Sequence, residues 1–387
     1  MKTMKILFTD EYPIGLKNAF EENGFSVLMA PPKVLSVNES VDKIALLNSC
    51  NIFKEIDYLF TFDFDIYFAD WCNVNLIKYI SWSVDSPHLS LYSEFVNLET
   101  NRIFVFDYDE YTELLTKGKK NIYYLPLATD VNYLHKVATQ NRSLCTKFSA
   151  DVSFMGNMYD KNPHNLFDQI TFLPQRLRGY LNALFEVQTR IWGLDLFRTE
   201  AFYSIQDELK KYVKLDFDNT YDIEIYHKFY DNLFGKKVAQ IERKRICDYL
   251  ASKYDFVLYS GSDTSNNPEI INRGYINYLT EMPIMFNQTK INININLHCI
   301  SSGIPLRVLD IMACEGFCLT NYQAEIADFF DDKKEIVMFS DFEDMCAKID
   351  YYLEHEEERK MIAHNGYLKV KKEFDYSVAI PKMVNLL

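Results

Sequence analysis

The chain has 387 residues, too many for one ordinary domain and suited to two. Apolar residues make up 48% of it, with 29 Phe and 27 Tyr, which argues for packed cores and against disorder. A formal net charge of −14 argues against nucleic acid or anionic membrane as a general partner, so an anionic ligand needs a local cationic patch or helix ends.

The opening MKTMKILFTDEYP is basic and then apolar, but Asp10 and Glu11 interrupt it too early for a signal peptide. No stretch approaches the roughly 18 apolar residues that a membrane helix needs. The eight cysteines are scattered, without C-x-x-C pairs; Cys314 and Cys318 have no further Cys or His nearby in sequence, and all are expected to be reduced, buried thiols. A cytoplasmic protein with no integral membrane segment is therefore expected. Strands are predicted at 5–9, 26–30, 57–62, 79–84, 102–106 and 122–127, with helices at 14–23, 40–50, 66–76, 88–98 and 109–117 between them. Strands this continuously hydrophobic belong to a parallel sheet covered on both faces. Six such repeats predict a doubly wound α/β domain.

A second set begins at DVSFMG (151–156) and continues through 255–260, KINININL (290–297), 317–320 and 335–340, followed by helices at 341–354 and 356–373. The interval 165–245 is too long for one crossover and is helically patterned, so it reads as a helical insertion. The expected domains are 1–145 and 146–372, with 373–387 a terminal segment that could pack back on the first domain. Two Rossmann-like domains facing a cleft would bind ligands at their strand C-terminal ends.

The stretch SGIPLRVLDIMACEGFCLTNYQAE (302–325) concentrates the chemistry. Pro305 suits a helix start, and the helix is expected over 306–314 with Leu306, Leu309, Met312 and Ala313 buried. Arg307 and Asp310 share another face, near N–H groups that suit phosphate. Arg307 would add a bidentate donor, and Asp310 could accept from ribose hydroxyls. The plain alternative is a surface ion pair worth a few tenths of a kcal/mol.

At GIPLRVLDIMACEGFCLTNYQAEIADFF and DYYLEHEEERKMIAHNGYLKVKKEF the chain resembles glycosyltransferases related to the CgeB/YkvP spore proteins, of GT-B architecture. The resemblance extends to INRGYINYLTEMPIMFNQTKININI, DVSFMGNMYDKNPHN, YISWSVDSPHLSLYS, IFVFDYDEY and NIYYLPLATD, and is weakest over 165–245. It implies that Arg307 and Asp310 sit on the nucleotide, and that Thr320, Asn321, Tyr322 and Gln323 form the turn approaching diphosphate and sugar. Gly156 would let backbone pass near phosphate, Lys161 is a candidate cation, and Glu325 complements a helix dipole; a turn glycine, a solvated lysine and a plain first-turn acid are the alternatives. The chain departs from its relatives at three places. Ser302 stands where retaining relatives carry Glu, Glu315–Gly316 replaces a glycine pair, and TNYQAE lacks paired glycines.

In the first half, strand ends select Asp10 and Glu11, Asp63 and Asp65, Asp85 to His88, Asp107 to Asp109, and Thr129–Asp130. In SVDSPH, Asp85 is the candidate base for an inverting transfer, with His88 behind it; the alternative is that Asp85 caps the next helix. The pairs Asp63/Asp65, Asp107/Asp109 and Asp216/Asp218 could hold a metal, but strand alternation favours a metal-independent site. No metal-ligand spacing appears among the histidines, and His298 is placed near the site by the strand before it. The expected activity is transfer of a sugar from a nucleotide diphosphate sugar, UDP favoured, to a glycan or protein acceptor, with no further cofactor. A nucleotide-sugar 2-epimerase and a non-catalytic nucleotide-sugar or glycan-binding module are the other readings.

Overall fold

The computed structural model describes residues 3–140, 145–160, 166–170, 172–213, 220–221 and 225–387. They form two compact units. The first contains β1 (Met4–Phe8), α1 (Ile14–Glu22), β2 (Phe25–Met29), α2 (Pro32–Leu35), α3 (Ser40–Ser49) and β3 (Tyr58–Phe62). It continues through α4 (Ile66–Val74), β4 (Lys78–Trp82), β5 (Asn101–Val105), α5 (Tyr108–Thr116) and β6 (Ile122–Tyr124). All six strands are parallel, in the order β2-β1-β3-β4-β5-β6. Ile6 pairs with Val27 on one side and Tyr58 on the other. Phe8, Phe20 and Phe60 meet at 5.3–5.7 Å between ring centres, so the aromatic richness is spent on the core.

One expected helix differs. Residues 88–98 form two short 3₁₀ turns, Leu89–Tyr92 and Glu94–Asn97. Ser93 is extended between them (ψ 161°), and the Glu94 N–H donates to Thr220 O at 2.7 Å. That long-range pairing breaks the helix.

The second unit runs from Val131 to Lys372, apart from Phe217–Ile225, which belongs to the first. Its elements begin with α6 (Val131–Gln140), α7 (Cys145–Phe148), β7 (Ala150–Met155), α8 (Gln175–Gln188), α9 (Glu200–Leu209) and α10 (Ile225–Lys253). Next come β8 (Phe256–Tyr259), β9 (Ile271–Asn272), α11 (Met282–Gln288), β10 (Thr289–Asn294), α12 (Leu306–Ala313) and β11 (Cys318–Asn321). The unit closes with α13 (Ala324–Phe329), β12 (Val337–Phe339), α14 (Phe342–Glu354) and α15 (Glu356–Glu373). Helix α6 packs on α11 and α12, which is why the division falls at Asp130. The parallel sheet has the order β12-β11-β10-β7-β8-β9. Helices α8–α10 enclose a separate aromatic core around Phe167, Phe185, Phe197, Phe202 and Phe234.

The chain then returns to the first unit as α16 (Tyr376–Val384), packed on α1. Cys72, Cys247, Cys299, Cys314 and Cys318 are buried free thiols. Among the described residues no helix is long and apolar enough to cross a membrane.

Candidate functional site

The strand order of the second sheet defines where a ligand can sit. Strand β7 neighbours both β8 and β10, so successive connections leave in opposite directions and a crevice opens at the C-terminal ends of β7 and β10. Gly156 follows β7, and a Cβ there would lie 2.7 Å from the Phe154 ring. The glycine thus makes room for Phe154. Across the crevice, Arg243 of α10 donates from Nη1 to Asn157 O (2.6 Å) and from Nη2 to Ile295 O. Its guanidinium lies 5.3 Å from the Phe154 ring centre and 5.1 Å from that of Tyr159. One buried cation therefore ties together the loops leaving both central strands.

The alternating ININ pattern places Asn292, Asn294 and Asn296 on one face, all buried. Asn294 Nδ2 donates to Thr320 Oγ1 (3.0 Å), and the Asn296 N–H donates to Asn321 Oδ1 (2.8 Å), locking the ends of β10 and β11 together. Among the described residues, Arg243 Nε and Asn296 Nδ2 are buried donors without a hydrogen-bond partner, a condition that calls for an explanation in a native fold.

Helix α12 begins after Pro305, which is its N-cap. The expected amphipathic stripe is not what the structure shows, because every residue from Val308 to Ala313 is buried. Arg307 and Asp310 do pair, at 3.7 Å, but unequally: the Arg307 side chain is 29% exposed and that of Asp310 only 1%. Asp310 also accepts from Tyr278 Oη at 2.9 Å. Arg307 lies over the Phe286 ring at 5.7 Å and against Met282 Sδ. In this arrangement Asp310 anchors Arg307 and Tyr278, and Arg307 is the member that solvent and ligands can reach. Burial, with Asp310 beside it, pushes the Cys314 thiol well up, so it stays protonated.

The turn after β11 is similarly divided. Thr320, Asn321, Gln323 and Glu325 are buried, whereas Tyr322 is 41% exposed. Gln323 Nε2 donates to Ile300 O (3.1 Å), Ser302 Oγ to Glu325 Oε1 (2.7 Å), and the Glu325 N–H to Ser302 O (3.1 Å). These side chains fasten the loop that precedes α12. Lys161 and the pair Asp216/Asp218 lie outside the described residues.

In the first unit the corresponding crevice lies at the ends of β1 and β3. Most strand-end acids there are occupied structurally. Asp10 accepts from Lys43 Nζ and Thr9 Oγ1, and Asp130 accepts from the Gly15 N–H at 2.8 Å. Asp65 and Asp107 cap α4 and α5. Asp63, in the left-handed region at φ 56°, accepts from the N–H groups of Val84 (2.8 Å) and Asp85 (3.3 Å) and so shapes the exit of β4. Asp85 is exposed, and the N-cap of the next turn is His88. His88 is held from two sides: its N–H donates to Glu110 Oε1 (2.9 Å), and Nε2 lies 2.8 Å from Phe64 O. A carbonyl only accepts, so the ring proton is on Nε2, leaving the lone pair of the neutral ring on Nδ1. Among the described residues no group of three His, Cys, Asp or Glu side chains could hold a metal ion.

The family described as Glycosyl transferase-like matches residues 242–385. Among solved structures, HepE from Anabaena in complex with UDP-glucose superposes with a TM-score of 0.53 at 10% identity, covering 99% of this chain and 98% of that one. Sucrose-phosphate synthase from Thermosynechococcus elongatus gives 0.53 at 10% identity, with the same coverage. A UDP-forming α,α-trehalose-phosphate synthase from Burkholderia xenovorans gives 0.54 at 12% identity, covering 100% and 98%. The chain has the GT-B fold. No curated protein sequence matches it.

Within the GT-B chain, the matched segment holds Arg243, Tyr278, β10, α12 and the β11 turn, which the second unit's geometry brings together. The sequence reading missed Arg243 because it sits in the charged run QIERKRICDY, where one buried cation looks like its solvated neighbours. Tyr278 was missed for want of any periodic signal around it. The period-two asparagines were the one available sign of a polar ladder at the strand end.

Proposed function

We propose that the chain is a glycosyltransferase that takes a nucleotide diphosphate sugar, with UDP as the nucleotide, and passes the sugar to a glycan or protein acceptor in the cytoplasm. The observation that carries this reading is the family match over 242–385, which includes Arg243, β10 and α12 on one side of the β7/β10 crevice. UDP is favoured because the structural neighbours include a UDP-glucose complex and a UDP-forming synthase. Arg307, part-exposed at the start of α12 and braced by buried Asp310, is the group suited to the diphosphate. A fixed cation there stabilises the charge that grows on the leaving group.

Inversion needs one group to accept the acceptor's proton as the sugar carbon is attacked. Asp85, exposed at the exit of β4, is assigned that role, with His88 Nδ1 as the supporting base. The occupied carboxylates of Asp63, Asp65 and Asp107 support a metal-independent reaction.

Titration calorimetry with UDP and UDP-sugars tests the assignment. Arg307→Ala is expected to weaken UDP about 10- to 100-fold, the scale of a charge-assisted contact. Asp85→Ala should bind donor as the wild type does and lose transfer. No binding of any nucleotide or nucleotide sugar at millimolar concentration would overturn the proposal.

A further inference from the structure

The helical insertion carries a loop that reaches the ends of β10 and β11. Gln188, the last residue of α8, is 1% exposed and organises that loop. Its Nε2 donates to Ile191 O (3.0 Å) and Leu194 O (2.9 Å), and its Oε1 accepts from the Leu196 N–H (2.8 Å). The same amide lies 3.3 Å from Nδ1 of His298, four residues beyond β10. With the ring proton on Nε2, His298 donates to the buried Glu242 Oε2 at 3.3 Å, and its Nδ1 shares one of the two Gln188 amide hydrogens with those carbonyls. Trp192 then stacks on the imidazole, 3.9 Å between ring centres and 21° apart in plane. Gly193 adopts φ +79°, and a Cβ there would sit 3.6 Å from the Tyr322 ring. The loop therefore lies against His298 from β10 and Tyr322 from β11, with Trp192 and Tyr322 both part-exposed.

Resting on the donor reading above, we propose that the Ile191–Leu194 loop is one wall of the nucleotide pocket, and that Trp192 and Tyr322 supply flat faces for the nucleobase. Two aromatic rings flanking a glycine at the carboxyl edge of a Rossmann-like sheet suit a planar heterocycle, which every base offers. The insertion is then a specificity element, with Gln188, His298 and Glu242 as positioning residues that hold Trp192 in place.

The chain has three tryptophans, and the other two, Trp71 and Trp82, are buried in the first unit. UDP is expected to change tryptophan emission of the wild type. Trp192→Phe should abolish that response while calorimetry still reports UDP binding. Trp192→Ala should weaken uridine monophosphate about tenfold, a typical loss of one base-stacking face, and leave ribose 5-phosphate binding unchanged. Heat of UDP binding without an emission change, or a response that persists in Trp192→Phe, overturns the loop's role. An equal loss of ribose 5-phosphate affinity overturns the nucleobase assignment alone. No heat with any nucleotide removes the donor reading itself, and this inference with it.

Discussion

Glu315 stands where a helix commonly ends on glycine. Its φ is 55°, its N–H reaches Met312 O, and the N–H of Gly316 reaches Ile311 O, each at 3.0 Å. Those are the paired bonds of a Schellman stop, and a side chain in that conformation costs about 1 kcal/mol. What offsets the cost is its carboxylate, which accepts from His135 Nε2 at 2.9 Å and His364 Nδ1 at 2.6 Å. The sequence marked Glu315 as a departure bearing on the sugar; the structure shows it tying α6 and α15 to the end of α12. Burial pushes its carboxyl up, but the two histidines outweigh that and hold it below the usual glutamate range. A carboxyl depressed by folding adds stability above its unfolded value, about 4.3, and that stability is lost as pH falls through the lower folded value. Glu315→Gln should therefore melt lower than wild type at neutral pH, by about 1 kcal/mol or less, and the gap should close below about pH 4. Melting curves that stay equally separated across that range would show that the ionised carboxylate is not what matters.

The strands were legible because both-face burial leaves a continuous apolar run, and all six in the first unit lie within a residue or two of expectation apart from β6, which ends early at Tyr124. The helix over 88–98 was not legible as two turns, since the bond that divides it comes from Thr220. The candidate site residues divide for a related reason. Residue type and spacing single out Arg307 and Asp310, and the resemblance the β11 turn, but which of them are exposed depends on partners such as Tyr278 and Ser302. Gly316 illustrates a constraint that spacing cannot reveal. A Cβ there would lie 2.6 Å from Phe286 O and 3.0 Å from Ile311 O, both fixed backbone carbonyls. Gly316→Ala should destabilise the second unit by about 1–3 kcal/mol, the usual range for overpacking, read as a lower denaturant midpoint with an unchanged slope. An unchanged midpoint would mean that the α12–β11 turn yields more easily than its neighbours suggest.

The first unit is discontinuous: residues up to Asp130 are completed by Glu373–Leu387. Thr129 donates from its N–H to Phe374 O (3.0 Å) and accepts from the Tyr376 N–H (3.2 Å). Tyr376 meets buried Trp82 edge-on at 6.4 Å, and α16 covers α1. Tyr376→Ala should cost about 3–5 kcal/mol, as for large buried aromatics, and should speed hydrogen exchange in β1, β4 and α1 while leaving β7 and β10 protected. Exchange accelerating equally in both sheets would contradict the division into units. This connectivity also sets a timetable for the nascent chain. Domains generally fold in the order in which they are synthesised, amino-terminal first. Here the ribosome must deliver the whole of the second unit before the first receives its last helix, so the carboxyl-terminal sheet is complete while the amino-terminal one still waits with its Trp82 flank uncovered.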